Sequence, residues 1–377
     1  MDITQLLSFC MQQGASDLHL SAGNPPVFRL YGELRRVKTE PLEAEEIQAM
    51  LFAVMSKEQR EDYTAEKELD FAIAFGEHSR FRVNIFKSRN GMSAVFRVIP
   101  SKIPTLADLD MPAIFRQFCS LDRGLVLITG PSGSGKSTTL AAMIDHINST
   151  QKKHVITIED PVEFVHRSKK SLINHRELGS DTHSYGRALR AALREDPDVI
   201  LVGELRDYET ISLALTAAET GSLVFATLHA NSAPKTIDRI IDVFPREEKD
   251  MVRAMLASSL QGVVSQQLLK RKGEEGRIAA FETLVATHAV RNLVREGKVY
   301  QLASVMQTGA RHGMMTMEDA ITDLVAHNMV DRKEAYRGLA TALDLDKSSI
   351  EDMAYLNALG GEDTLGHFSG ERKAYGF

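Results

Sequence analysis

Residues 130–137 read Gly130-Pro-Ser-Gly-Ser-Gly-Lys136-Ser137, a complete match to the phosphate-loop pattern GxxxxGK[ST]. The apolar run 124–129 precedes this stretch, and residues 138–144 after it favour a helix. Glycines let such a loop turn its backbone N–H groups toward a polyphosphate, at a helix N-terminus whose partial positive charge favours anions. A strand, a loop and a helix in this order predict a nucleoside triphosphate site.

The phosphate-loop pattern gives two side chains a specific role. Lys136 is expected to reach the β- and γ-phosphates, and the hydroxyl of Ser137 is expected to ligate Mg²⁺. The alternative, a glycine-rich turn that matches by chance, is disfavoured by the flanking strand and helix patterns. The residues predicted to contact the nucleotide are Ser132, Gly133, Ser134, Gly135, Lys136, Ser137 and Thr138.

Strands and helices are predicted to alternate after residue 123, which is typical of a parallel sheet in an α/β domain. Beyond residue 232 the pattern predicts mostly helices, with one further strand at 277–286. The alternating strands are expected at 124–129, 154–158, 198–202 and 223–228, with helices such as 183–194 and 207–219 between them.

Acidic side chains follow two of these predicted strands. One strand leads to Glu159, Asp160 and Glu163, and the other ends in Gly203 and Glu204. Ligands of an open α/β sheet bind outside the carboxyl ends of its strands, so both acidic groups are expected to face the triphosphate. We expect Glu204 to bind Mg²⁺ or its water shell and Glu163 to activate the attacking water. Glu159 or Asp160 could instead cap the following segment.

A histidine, His229, ends a third predicted strand at the same sheet edge. It could sense the γ-phosphate or relay its loss. A histidine at the end of a strand is more often structural than catalytic, so the residues alone leave the role of His229 open.

The first hundred residues predict a compact α+β domain. Helices are expected around 6–10 and at 43–55, and strands at 17–20, 80–86 and 94–99. The residues around Tyr31-Gly32 predict a further hairpin.

A second predicted hairpin places two arginines together. If its turn consists of Asn90-Gly91, Asn84 pairs with Arg97, and Arg82 lies on the same face because strand side chains alternate. Two arginines would then project from one surface of the sheet. A solvated strand face explains the same residues equally well.

Composition limits the classes of protein that fit. A chain of 377 residues with 43% hydrophobic residues suggests two or three domains, and the net charge of −6 lacks the basic footprint of a nucleic-acid binder. The start of the chain is not signal-like, and no apolar run approaches the roughly 18 residues that span a bilayer, so a cytoplasmic protein is predicted. Cys10 and Cys119 have no CxxC partner and are predicted to be small core residues.

Four segments are predicted along the chain. An N-terminal domain covers 1–99, and a proline-rich linker covers 100–118. The α/β nucleotide-binding domain covers 119–345, and 346–377 is a poorly packed, mobile C-terminal tail.

These segments resemble the secretion ATPase superfamily and, within it, the PilT-like retraction motors of type IV pili. The resemblance implies an N-terminal PAS-like domain joined to a RecA-like P-loop ATPase domain, in a homo-hexameric ring that hydrolyses ATP with Mg²⁺. Besides the phosphate loop, the residues that carry it are Ala15-Ser-Asp-Leu-His-Leu20, Ile158–Glu163, Arg190–Asp196 with Gly203-Glu204, and Ala217–Gly221.

The resemblance also implies roles for individual residues. It implies that the phosphate-loop residues bind the nucleotide and Mg²⁺, that Glu163 is the catalytic base and that Glu204 is the Walker B carboxylate. It places His229 in the histidine box. Arg82 and Arg97 match the family's N-terminal arginines that reach the triphosphate as charge-stabilising fingers.

Residues 289–296 resemble a segment of retraction-type members, Ala-Ile-Arg-Asn-Leu-Ile-Arg-Glu, with two Ile-to-Val changes. The pattern predicts a helix with Val290, Leu293 and Val294 on one face. Two features depart from the family: Ser222 replaces the first histidine of the histidine box, and the tail after residue 345 resembles the longer tails of PilU-type motors.

The implied function is an ATP-driven motor for pilus retraction and twitching motility. Its implied partners are an inner-membrane platform protein and a paralogous pilus ATPase, and its place is the cytoplasmic face of the inner membrane. The alternatives are an assembly or secretion ATPase or an accessory PilU-type motor of the same superfamily, a nucleic-acid translocase, and a nucleotide-gated scaffold. The net charge argues against nucleic acid, and the lack of a four-cysteine cluster favours retraction.

Overall fold

The computed structural model describes residues 2–30, 33–76, 79–99, 102–273 and 276–342. They form two compact units: the first extends to Ile103 and includes Glu159–Arg167, and the second begins at Pro104, breaks off at Ile158 and resumes at Ser168. No helix among these residues is long and apolar enough to cross a lipid bilayer.

The predicted boundaries at 1–99, 100–118 and 119–345 stay predictions. The helix Ala113–Cys119 occupies the end of the predicted linker, and the predicted tail at 346–377 lies outside the described residues.

The first unit contains a six-stranded sheet in the order β3-β2-β1-β6-β5-β4, with antiparallel neighbours throughout. Leu6, Leu18, Ile47, Phe81 and Phe96 are fully buried in one cluster of apolar side chains. The elements are α1 (Ile3–Gln12), β1 (Asp17–Ser21), β2 (Val27–Leu30), β3 (Glu33–Arg36), α2 (Ala44–Val54), α3 (Lys57–Glu66), β4 (Glu68–Phe75), β5 (Ser79–Ser88) and β6 (Gly91–Ile99).

The sequence patterns located most elements of this unit but missed α3 and β4. In α3 only Tyr63 is buried, so there is no apolar stripe to detect. The helix is fixed at its start instead, where Ser56 and Gln59 each accept a backbone hydrogen bond from the other. The predicted turn at Tyr31-Gly32 lies outside the described residues, although the strands on either side of it pair as expected.

The register of the β5–β6 hairpin differs from the predicted one. Ser88 pairs with Gly91, so the two turn residues are Arg89 and Asn90, and Arg82 lies directly opposite Arg97. The predicted pair of Asn84 with Arg97 is therefore wrong by two positions, since Asn84 pairs with Val95. A shift of two preserves the face of the sheet, so the predicted juxtaposition of the two arginines is confirmed.

The second unit is built on a seven-stranded sheet in the order β13-β12-β7-β11-β10-β8-β9. Its strands are β7 (Gly124–Thr129), β8 (His154–Glu159), β9 (Leu172–Glu177), β10 (Val199–Val202), β11 (Leu223–Leu228), β12 (Leu260–Lys270) and β13 (Arg277–Val285). Its helices are α4 (Ala113–Cys119), α5 (Lys136–Thr150), α6 (Tyr185–Ala192), α7 (Tyr208–Thr220), α8 (Ala233–Asp242), α9 (Lys249–Ser259), α10 (His288–Arg295), α11 (Leu302–Thr308), α12 (Met317–Ala326) and α13 (Arg332–Ala342), with 3₁₀ turns at Arg246–Glu248, Val299–Gln301 and Ala310–His312.

The core of the sheet is parallel, because β12, β7, β11, β10 and β8 are joined by parallel ladders, and β13 is antiparallel to β12. Alternate residues of β7 enter two different apolar clusters: Leu125 and Leu127 belong to one, and Val126 and Ile128 to the other. Both faces of the sheet are therefore covered, as expected for a parallel sheet. The predicted α/β class is confirmed.

Two strands, β9 and β12, were absent from the sequence prediction. The prediction of mostly helical structure beyond residue 232 is wrong at β12, which lies beside the phosphate-loop strand β7. Its centre reads Ser265-Gln266-Gln267, which interrupts the apolar run that would have indicated a buried strand. All three polar residues are nevertheless buried.

The helix predicted at 289–296 is present as α10. Val290 and Val294 are buried on its inner face, with Leu293 packed partly against the same cluster. Arg291 donates to the carbonyls of Ala257 and Ser258, and burial lowers the pKa of its guanidinium. Within this unit α10 is thus a packing helix anchored to α9.

The two cysteines are buried and free, as predicted for core residues. Burial raises the pKa of Cys10 to about 11 and that of Cys119 to about 12. Both thiols are therefore protonated at neutral pH and unreactive.

Candidate functional site

The phosphate loop connects β7 to α5 at the carboxyl edge of the parallel sheet. Gly130, Gly133 and Gly135 all have positive φ angles, of 140°, 75° and 91°. Non-glycine residues rarely adopt such angles, so these positions need glycine to make the turn. Gly135 directly precedes Lys136, the first residue of α5, and the loop therefore ends on a helix N-terminus.

Lys136 folds back over the loop. Its ammonium group donates to the carbonyls of Gly130, at 2.8 Å, and Pro131, at 3.0 Å. These bonds place the ammonium group beside the first residues of the phosphate loop. A polyphosphate bound by the loop would lie within reach of this side chain.

The second part of the site is a contact between Glu204 and His229. The Oε1 atom of Glu204 lies 3.2 Å from Nε2 of His229, and its Oε2 atom accepts from Nε of Arg206 at 2.6 Å. Glu204 follows β10 and His229 follows β11, two parallel neighbours, with β7 on the other side of β11. The parallel topology therefore brings the phosphate loop, Glu204 and His229 to one edge of the sheet, as predicted.

The chain that follows His229 is held at two points. Arg239 of α8 donates to the carbonyl of His229 at 2.6 Å. The buried carboxylate of Glu282 on β13 accepts from the backbone N–H of Ala233, at the start of α8, at 2.6 Å, and from that of Met317, at the start of α12, at 3.4 Å. Burial raises the pKa of Glu282, although the two N–H bonds oppose this shift.

The residues at this edge fit a nucleotide with Mg²⁺. The hydroxyl of Ser134 is buried, has no hydrogen-bond partner among the described residues, and lies beside Gly130 at the start of the loop. Ser137, beside Lys136 in the first turn of α5, and Glu204, after β10, are the side chains that would hold the ion.

The first unit contains the other predicted site residues, Arg82, Arg97 and Glu163. Arg82 and Arg97 face each other across the β5–β6 ladder, where like charges repel. Each is held by a carboxylate: Arg97 donates to Asp17 at 2.8 Å, and Arg82 makes a forked contact with Asp70 at 3.1 and 3.2 Å.

Two groups of this cluster, Arg82 and Asp17, have shifted pKa values. The hydrogen bond and charge of Asp70 raise the pKa of Arg82, and Glu163 and Asp160 add to the same effect. Burial alone would raise the pKa of Asp17, but hydrogen bonds from Ser16 and Arg97 outweigh it and hold the pKa below its usual value. Both shifts favour the charged forms of Arg82 and Asp17 at neutral pH.

Ser222 lies far along its strand from the phosphate loop. It precedes β11, whereas His229 follows the same strand. Its hydroxyl donates to the carbonyl of Pro197 at 3.1 Å, and it is buried. Ser222 therefore lies at the opposite end of β11 from the contact between Glu204 and His229.

Sequence reasoning missed three residues that support the site. Gln266 contacts the phosphate loop, Glu282 holds two helix starts, and Asp70 holds Arg82. Gln266 and Glu282 lie on neighbouring long strands, where each stands beside other polar residues, and no short pattern singles either of them out. Asp70 is separated from Arg82 by one hairpin, so only the correct strand register reveals the pair.

Comparison with known proteins identifies the family. The family described as "Type II/IV secretion system protein" matches residues 1–337. The chain belongs to this family. A "Type IV pilus retractation ATPase PilT" from Pseudomonas aeruginosa is 55% identical over 335 residues, which cover 89% of this chain and 97% of the relative. A "Twitching motility protein" from Neisseria gonorrhoeae is 54% identical over 312 residues, 83% of each chain.

A solved structure has the same fold. The "Crystal Structure of the Pilus Retraction Motor PilT and Bound ADP" superposes with a TM-score of 0.85 at 43% identity, covering 94% of this chain and 100% of that one. The predicted kinship with PilT-like pilus retraction ATPases is thereby confirmed, and the family and its relatives indicate a nucleotide-binding ATPase.

Proposed function

We propose that this chain hydrolyses ATP to ADP and phosphate and uses the reaction to power type IV pilus retraction, as a homo-hexameric ring. The observation that carries the proposal is the phosphate loop, with Lys136 over its mouth, at the same sheet edge as the Glu204–His229 pair. Two relatives above 50% identity, named as a retraction ATPase and a twitching motility protein, support the assignment to retraction. In this ring the first unit is a PAS-like domain and the second a RecA-like ATPase domain.

Each predicted residue has a part in this reaction. The loop N–H groups and Lys136 hold the phosphates, and the side chains of Ser137 and, in part through water, Glu204 would hold a Mg²⁺ ion, which would neutralise phosphate charge. Glu163 accepts the proton of the attacking water. His229, in contact with Glu204, reports the state of the phosphates to the chain that leads into α8.

Arg82 and Arg97 are proposed to stabilise the charge that develops on the transferred phosphate. Removing either side chain, by Arg82→Ala or Arg97→Ala, is expected to lower the turnover number by about 10³-fold or more, since an arginine finger contributes about 10³–10⁵ in rate. Each subunit should still bind ATP, because Lys136 and the loop are unchanged. Phosphate release and binding of a fluorescent ATP analogue, measured on the same preparations, separate the two effects.

Arg36→Ala is the matched control, because Arg36 is an exposed arginine of the same sheet, on β3. It should retain the native turnover number. If Arg82→Ala and Arg97→Ala hydrolyse ATP as fast as Arg36→Ala, the two arginines belong to a solvated strand face and the finger assignment is wrong.

The proposed place of action is the cytoplasmic face of the inner membrane, where the ring acts on a platform protein of the pilus. A PilU-type accessory motor is the second candidate, favoured by the sequence that continues past residue 345. Dependence on a partner would separate the two candidates, because an accessory motor would retract pili only together with a primary motor.

Deletion of the gene in its host tests whether the protein drives pilus retraction or pilus assembly. Loss of a retraction motor should leave cells with excess surface pili and no twitching. Cells without surface pili would show that the protein drives assembly instead. Restoring the native gene, but not the Lys136→Ala variant, should return pilus number and twitching to normal if ATP binding drives the motor.

A further inference from the structure

The side chain of Gln266 bridges the two ends of the phosphate-binding segment. Its Nε2 atom donates to the carbonyl of Ser134 at 2.7 Å, and its Oε1 atom accepts from the hydroxyl of Thr139 at 2.7 Å. A carbonyl can only accept, so the bond to Ser134 fixes which way the amide points. Lys136 and Ser137 lie between the two bridged residues. One buried amide therefore spans the part of the loop that handles phosphate and metal.

The backbone of β12 also lies very close to the phosphate loop. In the parallel ladder Ser265 pairs with Thr129, so Gln266 is level with Gly130 at the start of the loop. A Cβ atom on Gly130 would lie 2.3 Å from the Gln266 carbonyl oxygen, and one on Gly135 would lie 2.9 Å from Nε2 of Gln266. Two of the motif glycines are thus needed because this strand approaches so closely.

Burial makes the bridge costly to lose. Gln266 is 3% exposed, Ser134 3% and Thr139 1%, so water cannot replace the missing bonds. A buried polar group without a partner is strongly disfavoured, and the loop would shift to find one. Displacement of a binding group by about 1 Å can cost about 100-fold in activity.

We propose that Gln266 is a positioning residue of the nucleotide site, which locks the phosphate loop to the first turn of α5 and so sets the affinity for the diphosphate part of ATP and ADP. The inference depends on the proposed function of the loop. It assigns a role in binding to a strand that carries no recognisable motif.

The test measures ADP affinity by calorimetry, apart from turnover. Gln266→Met keeps the length of the side chain and removes both bonds, and the dissociation constant for ADP is expected to rise about 10- to 100-fold. Thr139→Val removes only one bond and should raise it by about 3- to 10-fold. The double variant should equal Gln266→Met, because the Thr139 bond is already lost when the amide is absent.

Gln261→Met is the matched control. Gln261 lies on the same strand and also bridges two groups, the carbonyl of Arg123 and the side chain of Arg291, but at the opposite end of β7. Its loss can lower the melting temperature, yet ADP affinity should stay native. If the role of Gln266 were purely structural, Gln266→Met would also lower the melting temperature and leave ADP affinity native. Native ADP affinity in Gln266→Met would therefore overturn the proposal.

Two further outcomes keep the tests separate. If Gln266→Met does not fold, native ADP affinity in Thr139→Val overturns the proposal by itself, and a 3- to 10-fold loss supports it. If Lys136→Ala also binds ADP like the native protein, the nucleotide site has been misplaced and the proposed function fails together with this inference. If Lys136→Ala loses ADP binding while Gln266→Met binds ADP like the native protein, the role proposed for Gln266 is wrong and the proposed function stands.

Discussion

Replacing Lys136 with alanine is expected to abolish ATP binding. The ammonium group lies over the loop on two neutral carbonyls, and its charge is the strongest attraction that the loop offers to phosphates. Truncating one partner of a hydrogen-bonded charge pair costs about 2–5 kcal/mol, which weakens binding by about 30-fold to several thousand-fold. Titration with a fluorescent ATP analogue measures the change directly.

Lys152→Ala controls for the loss of a positive charge. Lys152 is exposed, just beyond the end of α5, so its removal should leave the affinity for ATP unchanged. Native affinity in Lys136→Ala would mean that the loop does not hold the triphosphate.

Replacing either predicted carboxylate with its amide is expected to stop turnover and leave ATP binding intact. Glu204→Gln keeps the size of a side chain that contacts His229 and Arg206 but removes its charge, and Glu163→Gln removes the proposed proton acceptor. Loss of general acid–base catalysis lowers rates by about 10²–10⁴-fold. Single-turnover phosphate release, with binding of the ATP analogue measured in parallel, distinguishes chemistry from affinity.

Glu247→Gln is a suitable control, since Glu247 is an exposed carboxylate in the turn Arg246–Glu248. It should hydrolyse ATP at the native rate. A carboxylate variant that matches this control has another role, and the corresponding site assignment would have to be withdrawn.

The sequence predicted the parts of the site that follow directly from short patterns. The strand at 124–129, the loop and the helix after it occur where the motif required, and the strands before Glu204 and His229 end at the same edge of the sheet. Continuous apolar runs and a parallel connection leave little freedom in these segments.

The parts that the sequence did not predict depend on pairing between distant strands. Gln266 reaches Ser134 and Thr139 only because β12 lies next to β7, more than 120 residues away in the chain. Polar residues at the centre of β12 also hid the strand, since their burial is stabilised by hydrogen bonds to other elements.

The arginine pair shows how a wrong register can still give a correct face. The predicted turn at Asn90-Gly91 was one residue too late, which moved the partner of Arg97 by two positions from Arg82 to Asn84. The period of two along a strand kept all three side chains on one surface. What the pattern could not supply was the pair of carboxylates, Asp17 and Asp70, that let two like charges face each other.

The buried carboxylate of Glu282 has a mechanical consequence. The side chain of Glu282 accepts hydrogen bonds from the first N–H of α8 and the first N–H of α12. The start of either helix therefore cannot shift unless the other helix shifts with it or one of these bonds breaks. Arg239 ties α8 in turn to the carbonyl of His229. Hydrogen bonds therefore connect the backbone at His229, through Arg239, α8 and Glu282, to the first residue of α12.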